Sequence, residues 1–212
     1  MAGAGSRAIS NDSGDDSSHK EGEVIDPFDM VRKIKSRGPA PVELWDPPFC
    51  GDMDMVIARD GSWIHEGKPI RRAALVELFA SVLKIAEDGE YYLVTPVEKV
   101  RIQVEDCPFV VLDMDVEGEG CRQNLTFTTN IGEKVTAGKD HPLNIHIKPG
   151  SGEPHPSIPV RSGLDALINR AVFYRLIDLA ELNEAKLGAS AMGIWSGGQF
   201  FVLQQDAVES RA

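Results

Sequence analysis

The chain is short of positive charge, of cysteine and of long apolar runs, and each shortage removes a class of function. Its 212 residues carry 22 Lys and Arg against 33 Asp and Glu, a net charge of −11. A field of that sign repels phosphate backbones and anionic lipid, so neither nucleic acid nor a membrane is an expected partner. The densest basic cluster, Arg32, Lys33, Lys35 and Arg37, reads as a solvated helix face. The three cysteines, Cys50, Cys107 and Cys121, form no CxxC pair. An odd count without metal spacing suits free thiols in a reducing compartment. No apolar run reaches the ~20 residues needed to span a bilayer. Met1 to Val24 lack the basic start and apolar stretch of a signal peptide. A bacterial-type cytoplasmic protein is expected.

Catalytic motifs are missing too. Ser62 and Ser162 lie outside any GxSxG elbow, and Gly193 to Gly198 is interrupted by Ile194 and Trp195, so no phosphate loop forms there. His65, His141, His146 and His155 show neither HxxxH nor HExxH spacing, so a zinc site would have to be assembled by the fold. The cysteines have no neighbouring His or helix start to lower a thiol pKa. Burial is expected for Cys107 and Cys121, while Cys50 sits in an aromatic loop. No cofactor is implied, and an enzyme is not the favoured reading.

What the chain does have is an ordinary globular composition, 42% hydrophobic and 26% charged. A domain of this size buries roughly 70% of its unfolded surface and needs no staple. Residues 1–24 are Gly, Ser, Asp and Ala with little to bury, and read as a disordered tail carrying −3 of the charge. Residues 25–41 hold a short helix, capped by Asp26 with Pro27 in its first turn, and then the stiff Gly38-Pro39-Ala40-Pro41 linker. A first α+β unit spans 42–106 and a second 107–205, with a tail at 206–212.

In the first unit, Met53 to Arg59 and Ser62 to His65 flank the turn signal Asp60-Gly61. Leu75, Leu78, Phe79, Val82 and Ala86 then fall on one face of a helix over Arg71–Ala86. Asp88-Gly89 turns the chain into Tyr91–Thr95, and Val100, Ile102 and Val104 alternate with Arg101 and Gln103 as a half-buried strand. In the second unit, Val110, Leu112, Met114 and Val116 point one way, as do Leu125 and Phe127, and Leu143, Ile145 and Ile147. Strands joined by short turns predict antiparallel sheets. Ser162-Gly163-Leu164-Asp165 fits a capping box opening a long helix to about Leu182. A hairpin around Ser196-Gly197-Gly198 ends the fold. The fold class is α+β, with antiparallel curved sheets each packed by a long helix. Strand, turn, strand, helix, strand occurs twice, with Pro69-Ile70-Arg71 and Pro159-Val160-Arg161 entering the two helices. Duplication and ordinary strand-helix punctuation both account for that pattern.

Several side chains are candidates for chemistry. Asp52 and Asp54, two apart on a strand, share a face, and paired carboxylates either hold a hard cation or simply face water. Asp113, Asp115, Glu117 and Glu119 form an acidic row best read as solvated. The stronger candidate is a polar set, Thr95, Glu98, Arg101, Asn130, Arg161 and Arg170, with Trp45, Phe49 and Tyr92 as aromatic walls. Arg161, placed just before a helix start, would attract an anion. The competing reading is that Arg161 and Arg170 pair with Glu98 and Asp165 to stitch the two halves together.

Longer stretches carry a resemblance. Trp45-Asp46-Pro47-Pro48-Phe49-Cys50-Gly51-Asp52 and Ile57-Ala58-Arg59-Asp60-Gly61 resemble the start of a bacterial family, domain of unknown function 1285. The likeness continues through Tyr91–Ile102, His141-Pro142-Leu143 and Leu164–Arg170, and covers about Leu44 to Leu203. It implies repeated α+β units partly similar to the pleckstrin-homology arrangement, and an association with signal transduction. It implies no catalytic residues. The expected function is a non-enzymatic module that binds or senses a small anionic molecule. The alternatives are a protein–protein interaction module acting as a homodimer and, last, a metal-dependent enzyme using Asp52 and Asp54.

Overall fold

The computed structural model describes residues 39–183 and 191–205. The expected N-terminal tail, the helix at Asp26–Ser36 with its basic cluster, and the C-terminal tail lie outside the described residues. Among the described residues the protein is mostly β, with two short α-helices and three sheets. No helix among the described residues is long and apolar enough to cross a membrane.

The first sheet holds β1 (Phe49–Ile57), β2 (Trp63–His65), β3 (Lys68–Pro69), β4 (Leu83–Ile85), β5 (Tyr91–Val94) and β6 (Lys99–Val104), with α1 (Ala73–Ser81) between β3 and β4. Its strand order is β3-β2-β1-β6-β5-β4. The second sheet holds β7 (Phe109–Glu117), β8 (Asn124–Thr129), β9 (Lys134–Thr136), β10 (Asn144–Ile147), β11 (Pro154–Arg161) and β12 (Leu164–Ile168), in the order β10-β11-β12-β7-β8-β9. After α2 (Arg170–Asp178), strands β13 (Glu181–Asn183), β14 (Ala191–Ser196) and β15 (Gln199–Gln205) make a small third sheet that contains the expected final hairpin.

Both large sheets are mixed, which corrects the antiparallel expectation. Each consists of two three-stranded meanders, and the first strand of one lies parallel to the last strand of the other: β1 beside β6, and β7 beside β12. Parallel neighbours need a long return path, here supplied by α1 and by the segment between β9 and β10. Turn signals report only the hairpins inside each meander.

Both predicted helices are shorter than expected. α1 stops at Ser81, whose hydroxyl donates to the Leu78 carbonyl, and Val82 and Leu83 are both fully buried. Leu83–Ile85 leaves the helix to pair with Tyr91–Leu93. The apolar spacing there is equally compatible with a strand, and cross-strand pairing wins. The second helix is displaced. Ser162 and Gly163 both adopt positive φ, 39° and 75°, and form the two-residue turn that joins β11 to β12. Pro159-Val160-Arg161 therefore lies inside a strand, and the two proline-led segments do not correspond. The cap of α2 is Asn169, whose side chain accepts the Val172 N–H.

A register shift between Val111 and Asp113 reverses the facing of β7. Leu112 is 54% exposed, whereas Phe109, Val111 and Met114 are buried. A bulge adds one residue to one strand and moves everything after it to the other face. Cys121 is exposed in a short 3-10 turn at Gly120–Arg122, against the expectation of burial; Cys107 is buried as expected. The row of Asp113 and Asp115 is exposed and partly paired, with Arg175 and Lys134.

Buried side chains of both large sheets belong to one continuous cluster that includes Trp63, Phe79, Phe109 and Phe127. The third sheet is fastened to the second by the fully buried Ser196 hydroxyl, which accepts the Leu125 N–H and donates to the Ala137 carbonyl.

Asn169→Ala should lower unfolding stability in urea by about 1 kcal/mol through loss of the cap. Ser162→Gly should not lower it, because glycine suits positive φ and Ser162 caps nothing. The opposite pattern would restore the longer helix. Phe127→Ala, at a fully buried ring, should cost about 3–5 kcal/mol in the same assay.

Candidate functional site

The polar and aromatic residues singled out in the sequence do not converge on one pocket. Trp45 and Tyr92 line a groove of about 720 Å³ with Glu43, Asp46, Asp88 and Lys99. Phe49 meets Tyr92 edge-on, with centroids 6.2 Å apart, and Lys99 Nζ stands 4.1 Å above the Tyr92 ring. The Tyr92 hydroxyl donates to Asp88 Oδ2 at 2.8 Å. Carboxylates outnumber amines in this groove, so it does not suit an anion.

The remaining candidates are held by structural partners. Thr95 is fully buried, and its hydroxyl closes the β5–β6 turn by accepting the Glu98 N–H at 3.2 Å. Arg101 makes two hydrogen bonds to Asp52, at 2.7 and 3.0 Å. Asp52 and Asp54 do share the outer face of β1, as expected, but Asp52 is committed to Arg101. Asn130 bridges the sheets: its amide donates to the Gly61 carbonyl and its oxygen accepts the Val110 N–H. Gly61 has φ +83°, and a Cβ there would meet the Asn130 amide at 2.6 Å. Arg161 ends β11 and does not precede a helix. Its guanidinium bonds to Glu133, donates to the Ala80 carbonyl at 2.6 Å, and lies 5.1 Å from the Phe109 ring centroid. The Glu133 pair lies within the second unit, so it is the hydrogen bond to the Ala80 carbonyl, and not an ion pair, by which Arg161 reaches the first unit.

Arg170 lies elsewhere. It opens α2 and lines a cavity of about 380 Å³ with Arg59, Glu153, Phe173, Tyr174 and the β11 prolines Pro154 and Pro156. Its side chain has no hydrogen bond or ion pair among the described residues. Two guanidinium groups face one carboxylate there, beside the first backbone N–H groups of α2, which carry partial positive charge.

Arg59 connects this cavity to a second cluster. Its Nε lies 3.2 Å from Asp106 Oδ2, which also accepts from Lys148 Nζ at 3.0 Å. On the other oxygen, His155 Nε2 lies 2.6 Å and Cys107 Sγ 3.6 Å from Asp106 Oδ1. Burial alone would push the Asp106 carboxyl up, but the hydrogen bonds from His155 and Lys148 outweigh it and hold the group below the usual carboxylate range. Burial pushes the Cys107 thiol up to about 12, with Asp106 and Asp165 adding to it, so the thiol keeps its proton at neutral pH. Burial likewise raises Asp165, against the pull of His146 and His155. No spacing in the sequence announces this cluster, since its members come from four separate segments. The only local signal is Asp106-Cys107-Pro108, a polar and a small residue in the break between two strands.

In the aromatic groove, the Glu90 N–H and then the Tyr92 hydroxyl hold the Asp88 carboxyl below its ordinary value. A carboxyl depressed on folding contributes stability above its unfolded pKa, about 3.9, and that contribution is lost as pH falls through the lower folded value. Tyr92→Phe should move the Asp88 titration upward in an NMR pH series. An unchanged midpoint would remove the hydroxyl as a cause.

Comparisons with known proteins agree with this architecture. Residues 40–107 match the model "Domain of unknown function (DUF1285), N-terminal domain", and residues 108–203 match "Protein of unknown function (DUF1285), C-terminal domain". The crystal structure of a DUF1285 family protein from Silicibacter pomeroyi DSS-3 is similar at 51% identity, with a TM-score of 0.78, over 85% of this chain and 96% of that one. A DUF1285 family protein from Shewanella baltica OS155 matches at 29% identity over 59% of this chain and 91% of that one, with a TM-score of 0.46. No curated protein matches. With both domain models matched in order along most of the chain, this protein belongs to the DUF1285 family.

Proposed function

We propose that this protein is a non-enzymatic module that binds and senses a small anionic molecule, in the service of intracellular signalling, and that the ligand occupies the cavity at the start of α2. The observation that carries the reading is Arg170. It is exposed, lacks a side-chain partner among the described residues, and lines a cavity with a second guanidinium, that of Arg59. In a chain of net charge −11, the cavity is lined by two guanidinium groups and one carboxylate, and of the two only Arg59 is already paired, with Asp106. Arginine's planar fork matches carboxylate and phosphate oxygens in pairs. The Phe173 and Tyr174 rings supply an apolar wall, and about 380 Å³ falls at the small end of the range for ligand sites.

The non-enzymatic part rests on the Asp106 cluster. A thiol raised to about 12 is a poor nucleophile at neutral pH, and His155 is bonded to the carboxylate and not to the sulfur. The common strand order of the two large sheets supports a repeated unit as the scaffold. A second reading, a homodimeric interaction module, draws on the apolar surface near α2 and the third sheet. Leu182 and Met192, directly paired across β13 and β14, are 64% and 38% exposed, and Ile177 is 38% exposed. A metal-dependent enzyme built on Asp52 and Asp54 is the weakest reading, since Arg101 already neutralises Asp52.

A thermal-shift screen of nucleotides, cyclic nucleotides, amino acids and organic acids tests the binding. At a hundred times its dissociation constant a ligand adds about 2.7 kcal/mol. At roughly 2–4 °C per kcal/mol, that is a visible rise in Tm. The expected result is a saturable shift with an anion that Arg170→Ala abolishes without changing the unliganded Tm. A flat screen, or a shift that survives Arg170→Ala, sinks the assignment.

A further inference from the structure

A metal centre was not legible in the sequence because no pair of histidines or cysteines has ligand spacing. The fold nevertheless assembles three different donors. Among the described residues, the Asp106 carboxylate, the Cys107 sulfur and a His155 ring nitrogen lie within 4.8 Å of one another. Asp106 and Cys107 belong to the connection between β6 and β7, and His155 comes from β11 of the second sheet. Cys107 is buried, and the side chains of Asp106 and His155 are 11% and 15% exposed. This is a recessed set at a junction between sheets, unlike an acidic patch on a solvated face.

We infer that Asp106, Cys107 and His155 form a binding site for a single zinc-type divalent cation, held between Asp106 Oδ1, the Cys107 sulfur and His155 Nε2. The division of labour on the Asp106 carboxylate supports it. Lys148 and Arg59 both take Oδ2, so Oδ1 is the oxygen turned toward the other two donors. Ligating carboxylates are commonly held in place by hydrogen bonds to their outer oxygen. With zinc bonds of about 2.0 Å to nitrogen and oxygen and 2.3 Å to sulfur, tetrahedral donors stand about 3.3–3.5 Å apart. The sulfur–oxygen distance of 3.6 Å already fits. The nitrogen–oxygen distance of 2.6 Å is that of a hydrogen bond, and must open by about 0.7 Å as the metal replaces the shared proton, while the Cys107 thiol releases its own proton to solvent on binding the metal.

A fourth donor stands next to the set. His146 is directly opposite His155 in the β10–β11 register, is exposed, and so shares its face. Thiolate and imidazole together select a borderline-soft ion. Magnesium and calcium, which want six or more oxygens, do not suit a set of one carboxylate, one sulfur and one imidazole. None of the three donors lines the anion cavity, although Arg59 borders both and Pro154 and Pro156, which line the cavity, flank His155.

The test is a titration of the full-length protein, free of any polyhistidine tag, with cobalt(II) followed by zinc. The expected result is one cobalt per chain, a thiolate-to-cobalt charge-transfer absorption, and its disappearance when zinc displaces cobalt. The band should persist in the Cys50→Ser/Cys121→Ser double variant and in Arg170→Ala, and should vanish in Cys107→Ser. His155→Gln, a change at a more accessible position, should weaken cobalt binding at least about tenfold, on the scale of a lost metal partner. Absence of the band from the unaltered protein, its survival in Cys107→Ser, or unchanged cobalt affinity in His155→Gln overturns the site. Retention of the metal site in Arg170→Ala also keeps this result distinct from failure of the anion-binding reading.

Discussion

Asp106 gathers Arg59, Lys148 and His155 at the point where the chain passes from the first large sheet to the second, and much of the functional architecture hangs on that carboxylate. It is only 11% exposed, in a position where an unpaired charge would cost several kcal/mol. Its partners come from just past the end of β1, just past the end of β10 and the start of β11. By holding Arg59 at Oδ2, it places that guanidinium at the border of the cavity lined by Arg170. By turning Oδ1 toward His155 and Cys107, it composes the only cluster of mixed metal-ligating donors among the described residues.

A second buried charge organises the packing of α1 against the other sheet. The Arg161 guanidinium is satisfied by the Glu133 carboxylate, the Ala80 carbonyl at the end of α1, and the face of Phe109. Those contacts replace the hydration it loses, which is the condition for burying a guanidinium at all. Asn130 does a neutral version of the same work by bonding to backbone on both sheets. Together with the shared apolar cluster, these bridges join the sheets through directed polar contacts as well as through burial.

The surface divides by charge. The groove of Trp45 and Tyr92 is dominated by carboxylates, in keeping with the sign of the whole chain. The cavity at α2 is lined by two guanidinium groups and one carboxylate, and a cavity focuses the field of its lining charges on an approaching anion. The proposed ligand cavity therefore rests on an arginine whose side chain has no partner among the described residues, and not on the aromatic residues of the loop.

Local chemistry determined much of this protein from its sequence alone. Asp60-Gly61, Asp88-Gly89 and the Ser196-Gly197-Gly198 region make turns because their short-range backbone preferences are strong, and the alternation of Met53, Met55 and Ile57 or of Leu125 and Phe127 marks a buried face wherever no bulge intervenes. The family was legible for the same reason, since its longest stretches surround those turns. Tertiary structure alone decided the parallel β1–β6 and β7–β12 pairs, the bulge that exposes Leu112, the conversion of Ser162-Gly163 from a helix cap to a hairpin turn, and the meeting of residues 59, 106, 148 and 155. Each depends on which distant strand competes for the same backbone hydrogen bonds, and sequence periodicity carries no information about a partner fifty residues away.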